Sequence, residues 1–212
     1  MSEVLTDTGL VLHKTDYSEN SVITSILTGR HGLVKCIMKG DRRVSKKHLP
    51  QVDVLRYLSL TFKYKENYEL QMPTAVERIG GFENIVKNYK NYCLALWFCR
   101  FLERNLHPFH PVIGLPELLN KTLQFLEEQV DESARLAVFS SFSLGFLVYE
   151  GLLDENYFIN VAPHLKPFYD FVVDEKVNTF PKLQIEDLQK LADWSKQFLI
   201  SQSFHLPDNL SF

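Results

Sequence analysis

The chain has few cysteines, no long apolar run and no start typical of an exported protein. Its 212 residues include three cysteines, Cys36, Cys93 and Cys99, and no C-x-x-C pair, so the sequence predicts neither a disulfide framework nor a zinc ribbon. No run of about 18 apolar residues occurs, and the first residues lack the basic and apolar parts of a signal peptide. We therefore expect a cytoplasmic protein that makes no membrane contact.

Motifs of catalytic and nucleotide-binding centres are also absent. The sequence contains no G-x-S-x-G, H-E-x-x-H, P-loop or G-x-G-x-x-G segment. Cys93 and Cys99 could form a metal site with His107 and His110, but six residues of helix turn through about 600° and leave the two thiols on different faces. Core cysteines and loop histidines are the favoured interpretation. The sequence predicts no metal, no cofactor and no enzymatic activity.

The charge differs in sign between the two parts of the chain. The net charge of −3 on its own argues against nucleic acid, because phosphate binding requires Lys and Arg. Residues 1–80, however, hold 12 Lys and Arg against 9 Asp and Glu, whereas residues 81–212 hold 11 against 17. Such asymmetry is typical of a protein with one nucleic-acid surface, although any two-domain protein can show it.

The first 80 residues are patterned as short strands. Three apolar, β-branched segments cover residues 9–13, 21–27 and 33–39, with a turn at residues 29–32. A fourth segment, residues 55–63, alternates almost strictly between apolar and polar side chains, and residues 69–72 with those after Pro73 supply a fifth strand. Five short strands predict a small barrel, either an OB-fold or, almost as well, an SH3-like barrel.

Beyond Gly80-Gly81 the period of the apolar residues changes from two to about 3.6. Helices are predicted around residues 85–101, 115–126, 134–149 and 185–198, with Asp131 or Ser133 as a cap of the third. Residues 151–181 show little periodicity. The fold class is therefore α+β, with domains at residues 1–79 and 80–212.

A basic cluster lies between residues 30 and 48, with seven Lys or Arg side chains against Asp41 alone. Part of it falls in a loop between two predicted strands, where OB-type barrels contact nucleic-acid backbones, although a solvated surface loop is an equally common explanation. The next strand adds an aromatic and a cation on its polar face, as base stacking requires. The predicted nucleic-acid contacts are Arg30, Lys35, Lys39, Arg42, Arg43, Lys46, Lys47, Tyr57 and Lys63.

Several segments in this region together resemble a known family. They are Gly9-Leu10-Val11-Leu12-His13, Tyr17-Ser18-Glu19-Asn20-Ser21, Leu27-Thr28-Gly29-Arg30-His31-Gly32, and Lys39-Gly40-Asp41-Arg42-Arg43 with Ser45. In order and spacing they are similar to the amino-terminal pattern of the bacterial RecO recombination mediators. Many RecO proteins carry four zinc-ligand cysteines in the helical domain, and this chain has none between Gly151 and Phe212.

The resemblance implies an OB-fold followed by a helical domain, and binding to single- and double-stranded DNA. It also implies annealing of strands coated with single-strand binding protein, contact with the C-terminal tail of that protein, partnership with RecR and loading of RecA, in the cytoplasm at the nucleoid. It places DNA contact on Lys39, Arg42 and Arg43, and secondarily on Lys46 and Lys47. Two alternatives remain open: a protein-interaction adaptor of the same fold with little DNA binding, and an unrecognised enzyme.

Because the chain offers no set of four ligands at workable spacing, we expect the purified protein to contain no zinc. Elemental analysis after dialysis should find well under one equivalent of metal per chain. One equivalent that survives dialysis would contradict this expectation.

Overall fold

The chain forms two compact units in a computed structural model, which describes residues 3–39, 52–65, 68–128, 131–153, 156, 160, 166–173 and 183–208. The first unit comprises Met1–Glu83 and Leu96–Val112, and the second comprises Asn84–Ala95 and Ile113–Phe212. The domain boundary predicted between residues 79 and 80 remains a prediction. The compact units differ from it in that residues 96–112 belong to the first unit.

The first unit is built on a six-stranded sheet. The order across the sheet is β5-β3-β2-β1-β4-β6, and neighbouring strands are antiparallel except for β3 and β5. Because β6 begins two residues after β5 ends, the outermost strands are joined by the chain and the sheet closes as an OB-fold barrel. The strands are β1 (Val4–Ser18), β2 (Ser21–Thr28), β3 (Gly32–Lys39), β4 (Arg56–Lys63), β5 (Leu70–Gln71) and β6 (Pro73–Gly81).

The prediction of five strands is wrong in number, because the predicted last strand is divided at Pro73. Gln71 pairs with Cys36 of β3, whereas Pro73 pairs with Phe62 of β4. Proline has no backbone N–H to donate to a ladder, so it is favoured where one pairing ends and another begins. The periodicity of the sequence cannot show this change of partner.

The alternation predicted for residues 55–63 is confirmed in β4. Leu58, Leu60 and Phe62 are buried in the barrel core, while Lys63 on the opposite face is exposed. Strands β2 and β3 contribute to the same core on alternate residues, as a half-buried strand requires. The buried core consists of Val11, Val22, Ile26, Val34, Cys36, Met38, Val52, Leu58, Leu60 and Phe62.

A segment that follows the first long helix completes this unit. Phe109 donates its backbone N–H to the carbonyl oxygen of Leu33 at 2.9 Å, and its ring lies 5.0 Å from that of Tyr64. The close approach of this segment to β3 depends on Gly32, whose φ is +65°. A Cβ atom at this position would lie 2.1 Å from the carbonyl oxygen of His110. Only glycine satisfies both constraints.

The helices that the sequence predicts are present, and one more is found among the described residues. They are α1 (Tyr89–Asn105), α2 (Leu115–Glu128), α3 (Glu132–Tyr149), α4 (Lys166–Val173) and α5 (Ile185–Ser201), with a short 3₁₀ helix at Ile85–Lys87. Asp131 caps α3 as predicted, accepting a hydrogen bond from the backbone N–H of Ala134 at 2.6 Å. No helix in the described ranges is both long enough and apolar enough to cross a membrane.

The spacing of the apolar residues predicts one apolar face of α1, with Ala95, Trp97, Phe98 and Phe101 making much of the rest apolar, and this prediction is only partly correct. The predicted face consists of Ile85, Tyr89, Tyr92, Leu96 and Cys99. Tyr89, placed on the buried face by its spacing, is 79% exposed, whereas Trp97, Phe98 and Phe101 are buried. Helix α4 was not predicted, because its eight residues are too few to show a period against the prolines around it. Its Phe168 and Phe171 are nevertheless buried.

We expect Gly32→Ala to lower the free energy of unfolding by at least about 2 kcal/mol, because alanine is strained at positive φ and its methyl group meets backbone. Gly29 lies in the same turn with open space at its Cβ position, so Gly29→Ala is the matched control and should be close to neutral. Urea unfolding of the two variants checks this. Equal urea midpoints for Gly32→Ala and Gly29→Ala would show that the approach of residues 107–111 does not constrain the turn.

Candidate nucleic-acid interface

A buried carboxylate fixes the turn between β2 and β3. Asp7 accepts hydrogen bonds from the backbone N–H groups of Thr8 at 2.8 Å and Arg30 at 3.0 Å, and its Oδ2 lies 2.7 Å from Nδ1 of His31. Burial by itself would raise the pKa of the Asp7 carboxyl, but the hydrogen bonds from His31, Arg30 and Thr8 outweigh it and lower the pKa below 3.8. The turn that carries Arg30 is therefore tied to β1 by an ionised group.

The outer surface of β2 and β3 is a partly apolar face with lysines, which we call the β2–β3 face. Since Val34, Cys36 and Met38 point into the core, the intervening residues of β3 point outward. They pair with outward residues of β2, Lys35 with Ser25, Ile37 with Ile23 and Lys39 with Ser21. Ser25 is buried, so the accessible part of the face consists of Ser21, Ile23, Lys35, Ile37 and Lys39.

One end of this face is bordered by the connection between β4 and β5. Gln71 is buried and its side chain accepts a hydrogen bond from the N–H of Lys65 at 3.0 Å and donates to the carbonyl oxygens of Lys65 and Tyr68 at 3.1 and 2.6 Å. It thereby fixes both described ends of the connection. Nζ of Lys65 lies 5.2 Å from the centroid of the Tyr68 ring, which is 61% exposed.

The opposite end borders the connection between β3 and β4. Lys39 is the last residue of β3 and is exposed, and Arg42, Arg43, Lys46 and Lys47 follow it outside the described residues. The chain returns at Val52, whose carbonyl oxygen accepts a hydrogen bond from Nζ of Lys14 on β1 at 2.8 Å. Lys39 and Val52, the described residues on either side of this connection, thus lie beside the hairpin of β1 and β2.

The remaining predicted contacts are spread around the barrel. Arg30 is exposed in the β2–β3 turn, and Lys63 is exposed at the end of β4 near the same end of the barrel. Tyr57 lies six residues before Lys63, about 20 Å away along the strand, and its ring packs 5.9 Å from that of Phe82. The structure does not bring Tyr57 next to Lys63, and its role in stacking stays a prediction.

Acidic side chains form ion pairs with some of the cations of the barrel. Nζ of Lys35 lies 2.6 Å from Glu69, and Arg56 and Arg78 both contact the carboxylate of Glu83. By contrast, the side chains of Arg30, Lys39, Lys63 and Lys65 make no ion pair with another described residue. An exposed pair such as Lys35–Glu69 is worth no more than about 1 kcal/mol, so phosphate can displace the acid.

Sequence analysis missed the contribution of the β4–β5 connection. Lys65 and Tyr68 fall between predicted strands, where spacing gives no information about which side chains meet. The sequence offered one indication, which is that Tyr68 lies three residues after Lys65 and is followed by Gln71, a polar residue in a predicted strand. Only the closure of the barrel brings these residues to the edge of β3.

The cysteines and histidines do not form a metal centre in the described ranges. No group of three or more His, Cys, Asp or Glu side chains there is close enough to hold an ion. Burial raises the pKa of the thiols of Cys36 and Cys99 to about 12, so both remain protonated at neutral pH. They pack as small apolar side chains.

We expect Asp7→Asn to lower the free energy of unfolding by about 2 kcal/mol at neutral pH. The asparagine side chain carries no charge, and its NH₂ group replaces one of the oxygens that accept hydrogen bonds from Thr8, Arg30 and His31. The Asp7 pKa is lowered on folding, so its contribution is complete above 3.8 and is lost as the pH falls through the lower folded-state value. The stability gap between wild type and variant should therefore shrink in acid.

Unfolding by urea between pH 2 and 7 measures this gap, and Glu77→Gln, which changes an exposed carboxylate of β6, serves as the control. A gap that does not depend on pH would contradict an ionised Asp7.

Comparison with known families agrees with the resemblance found in the sequence. Residues 1–82 match the family model described as recombination protein O, N terminal. The match covers β1 to β6 and ends one residue after Gly81. It includes the β2–β3 face, both connections that border it and the turn held by Asp7. By its first 82 residues the chain is similar to the amino-terminal OB-fold domain of the recombination protein O family, and this similarity supports a general role in DNA recombination and repair.

Proposed function

We propose that the protein is a non-enzymatic recombination mediator that holds DNA on the β2–β3 face and promotes the annealing of complementary strands. The observation that carries the proposal is the set of cations at both ends of this face that are unpaired within the described residues: Lys39 at one end and Arg30 and Lys65 at the other. Phosphates spaced along a strand can contact both ends while bases lie over Ile23 and Ile37.

Electrostatics support the same face. Binding of DNA by Lys and Arg releases counterions, and each neutralised phosphate strengthens binding at low salt. The basic stretch Arg42, Arg43, Lys46 and Lys47 begins three residues after Lys39, so it extends the cationic end of the face along the chain. In an OB-fold this position, on strands 2 and 3 between two loops, is a common place for oligonucleotides.

For the helical unit we propose a role in binding proteins, chiefly the C-terminal tail of single-strand binding protein, together with RecR, and through them the loading of RecA. The supporting observation is a shallow recess between α2, α3 and α4. Nζ of Lys121 lies there 4.3 Å from the centroid of the Phe171 ring. An ammonium beside aromatic walls suits a peptide with an apolar end and a carboxylate. The recess is lined by Leu118, Lys121, Thr122, Phe125, Val138, Ser141, Phe171 and Val172.

The alternative function is that of a protein-interaction adaptor with little DNA binding. It is favoured by the three barrel cations that are already paired with acids, Lys35, Arg56 and Arg78. The salt dependence of binding separates the two functions, because only a protein that neutralises several phosphates shows a steep slope.

Replacing Arg42, Arg43, Lys46 and Lys47 together by Ala should weaken DNA binding. The slope of log K against log salt should fall by about 0.9 for each duplex phosphate that the variant no longer neutralises, and strand annealing should largely disappear at moderate salt. Binding of a tail peptide of single-strand binding protein should be retained. Fluorescence anisotropy with labelled DNA and labelled peptide measures both.

The control replaces two exposed lysines of the second unit, Lys87 and Lys190, by Ala and should leave the slope unchanged. Thermal unfolding of each variant shows whether weaker DNA binding arises from the missing cations or from a failure to fold. A wild-type slope in the fourfold variant would assign the basic stretch to a solvated surface, and failure to bind the peptide as well as DNA would refute the division of roles.

A further inference from the structure

An exposed aromatic side chain stands at the tip of the β1–β2 hairpin. Tyr17 is 59% exposed and lies between the pairs Asp16–Val22 and Ser18–Ser21, where the register of the two strands shifts. A bulge of this kind turns a side chain away from the regular alternation of the strand. Because most of the side chain is exposed, packing against the described residues does not explain an aromatic at this position.

The hairpin places Tyr17 next to the cationic end of the β2–β3 face. Ser18 pairs with Ser21, which in turn pairs with Lys39 on β3. Two strand spacings, about 10 Å, therefore separate the backbone beside Tyr17 from that of Lys39. Val52, with which the described chain resumes, is held to the strand of Tyr17 through the bond from Lys14 to its carbonyl oxygen.

The charges around the ring differ from those around Lys39. Asp16 and Glu19 flank Tyr17 on the hairpin and are exposed, so they disfavour a phosphate at that position. Lys39, which is exposed and makes no ion pair with another described residue, attracts one. A nucleic-acid strand on this end of the barrel would thus have its backbone toward Lys39 and its bases toward the hairpin.

We propose that Tyr17 is a stacking platform for an unpaired base, and that it makes the barrel prefer single-stranded over double-stranded DNA. The inference rests on the proposed function, since it needs DNA on the β2–β3 face. A base in a duplex is already stacked between its neighbours and cannot lie on the ring, whereas every unpaired base has a free π-face. Phosphate contacts at Lys39 serve both kinds of DNA.

The test compares Tyr17→Leu, Tyr17→Phe and Lys39→Gln in the full chain. Binding to oligo-dT and to a hairpin duplex with the same number of phosphates is measured by anisotropy over a series of salt concentrations. Tyr17→Leu should weaken oligo-dT binding by about tenfold, as expected when one base stack is removed, with less than a twofold change for the duplex and an unchanged salt slope. Tyr17→Phe should bind both as the wild type does.

Lys39→Gln should weaken both complexes and lower the slope, because it removes a cation that neutralises phosphate. Tyr89→Leu is the matched control, a second exposed tyrosine outside the first unit, and should change neither complex. Circular dichroism melts establish that each variant is folded. Oligo-dT that carries 2-aminopurine should be quenched by the wild type and Tyr17→Phe but not by Tyr17→Leu.

The outcomes distinguish this inference from the proposed function. If Tyr17→Leu binds oligo-dT as the wild type does, or loses affinity equally for duplex, the stacking role is refuted while DNA binding stands. If the wild type itself shows no salt-dependent binding to either DNA, the proposed function fails and the stacking role with it.

Discussion

The buried carboxylate of Asp7 is the interaction on which the arrangement of the barrel depends. It lies on β1, the strand that pairs with both β2 and β4, and it receives hydrogen bonds from the turn that leads from β2 into β3. A buried charge is tolerated only when it is well hydrogen-bonded, so displacement of the turn would remove the hydrogen bonds that stabilise the Asp7 carboxylate. The position of Arg30 and the start of β3 follow from this requirement.

The closure of the barrel depends on a second polar group, the amide of Gln71. Its three hydrogen bonds take the place of the backbone pairing that β5, with only two residues, cannot provide. Lys65 and Tyr68 are held by these bonds at the edge of β3. In this protein, the residues that position the candidate site are thus buried and polar, while the residues that would contact DNA are exposed and make few contacts of their own.

Elements with a regular period could be predicted from the sequence, and elements defined by long-range pairing could not. The alternation of Leu58, Leu60 and Phe62 identified one face of β4, and the two candidate caps, Asp131 and Ser133, located the start of α3 to within two residues. The division at Pro73 and the exposure of Tyr89 depend on which partner strand or helix is available, which a local pattern does not contain. Helix α4 is too short to show a period.

The candidate site follows the same rule. Sequence analysis found the charge between residues 30 and 48, because charge is a property of composition. It could not find that Lys35 pairs with Glu69 from 34 residues away, nor that Tyr57 packs on Phe82 while Tyr68 remains exposed. Counting cations in a sequence overestimates those available to phosphate wherever acids lie on neighbouring strands.

The contacts of Phe109 have a consequence for folding during synthesis and for the expression of the barrel as a separate fragment. The edge of β3 at Leu33 receives its hydrogen bond from Phe109, and the ring of Phe109 packs against Phe62 and Tyr64 of the barrel. A nascent chain that has emerged only as far as Gly81 holds all six strands but lacks the contacts that Phe109 makes with them. Because Phe109 follows α1 in the chain, these contacts can form only after α1 has been synthesised, and a fragment truncated after β6 would expose apolar surface that the intact chain covers.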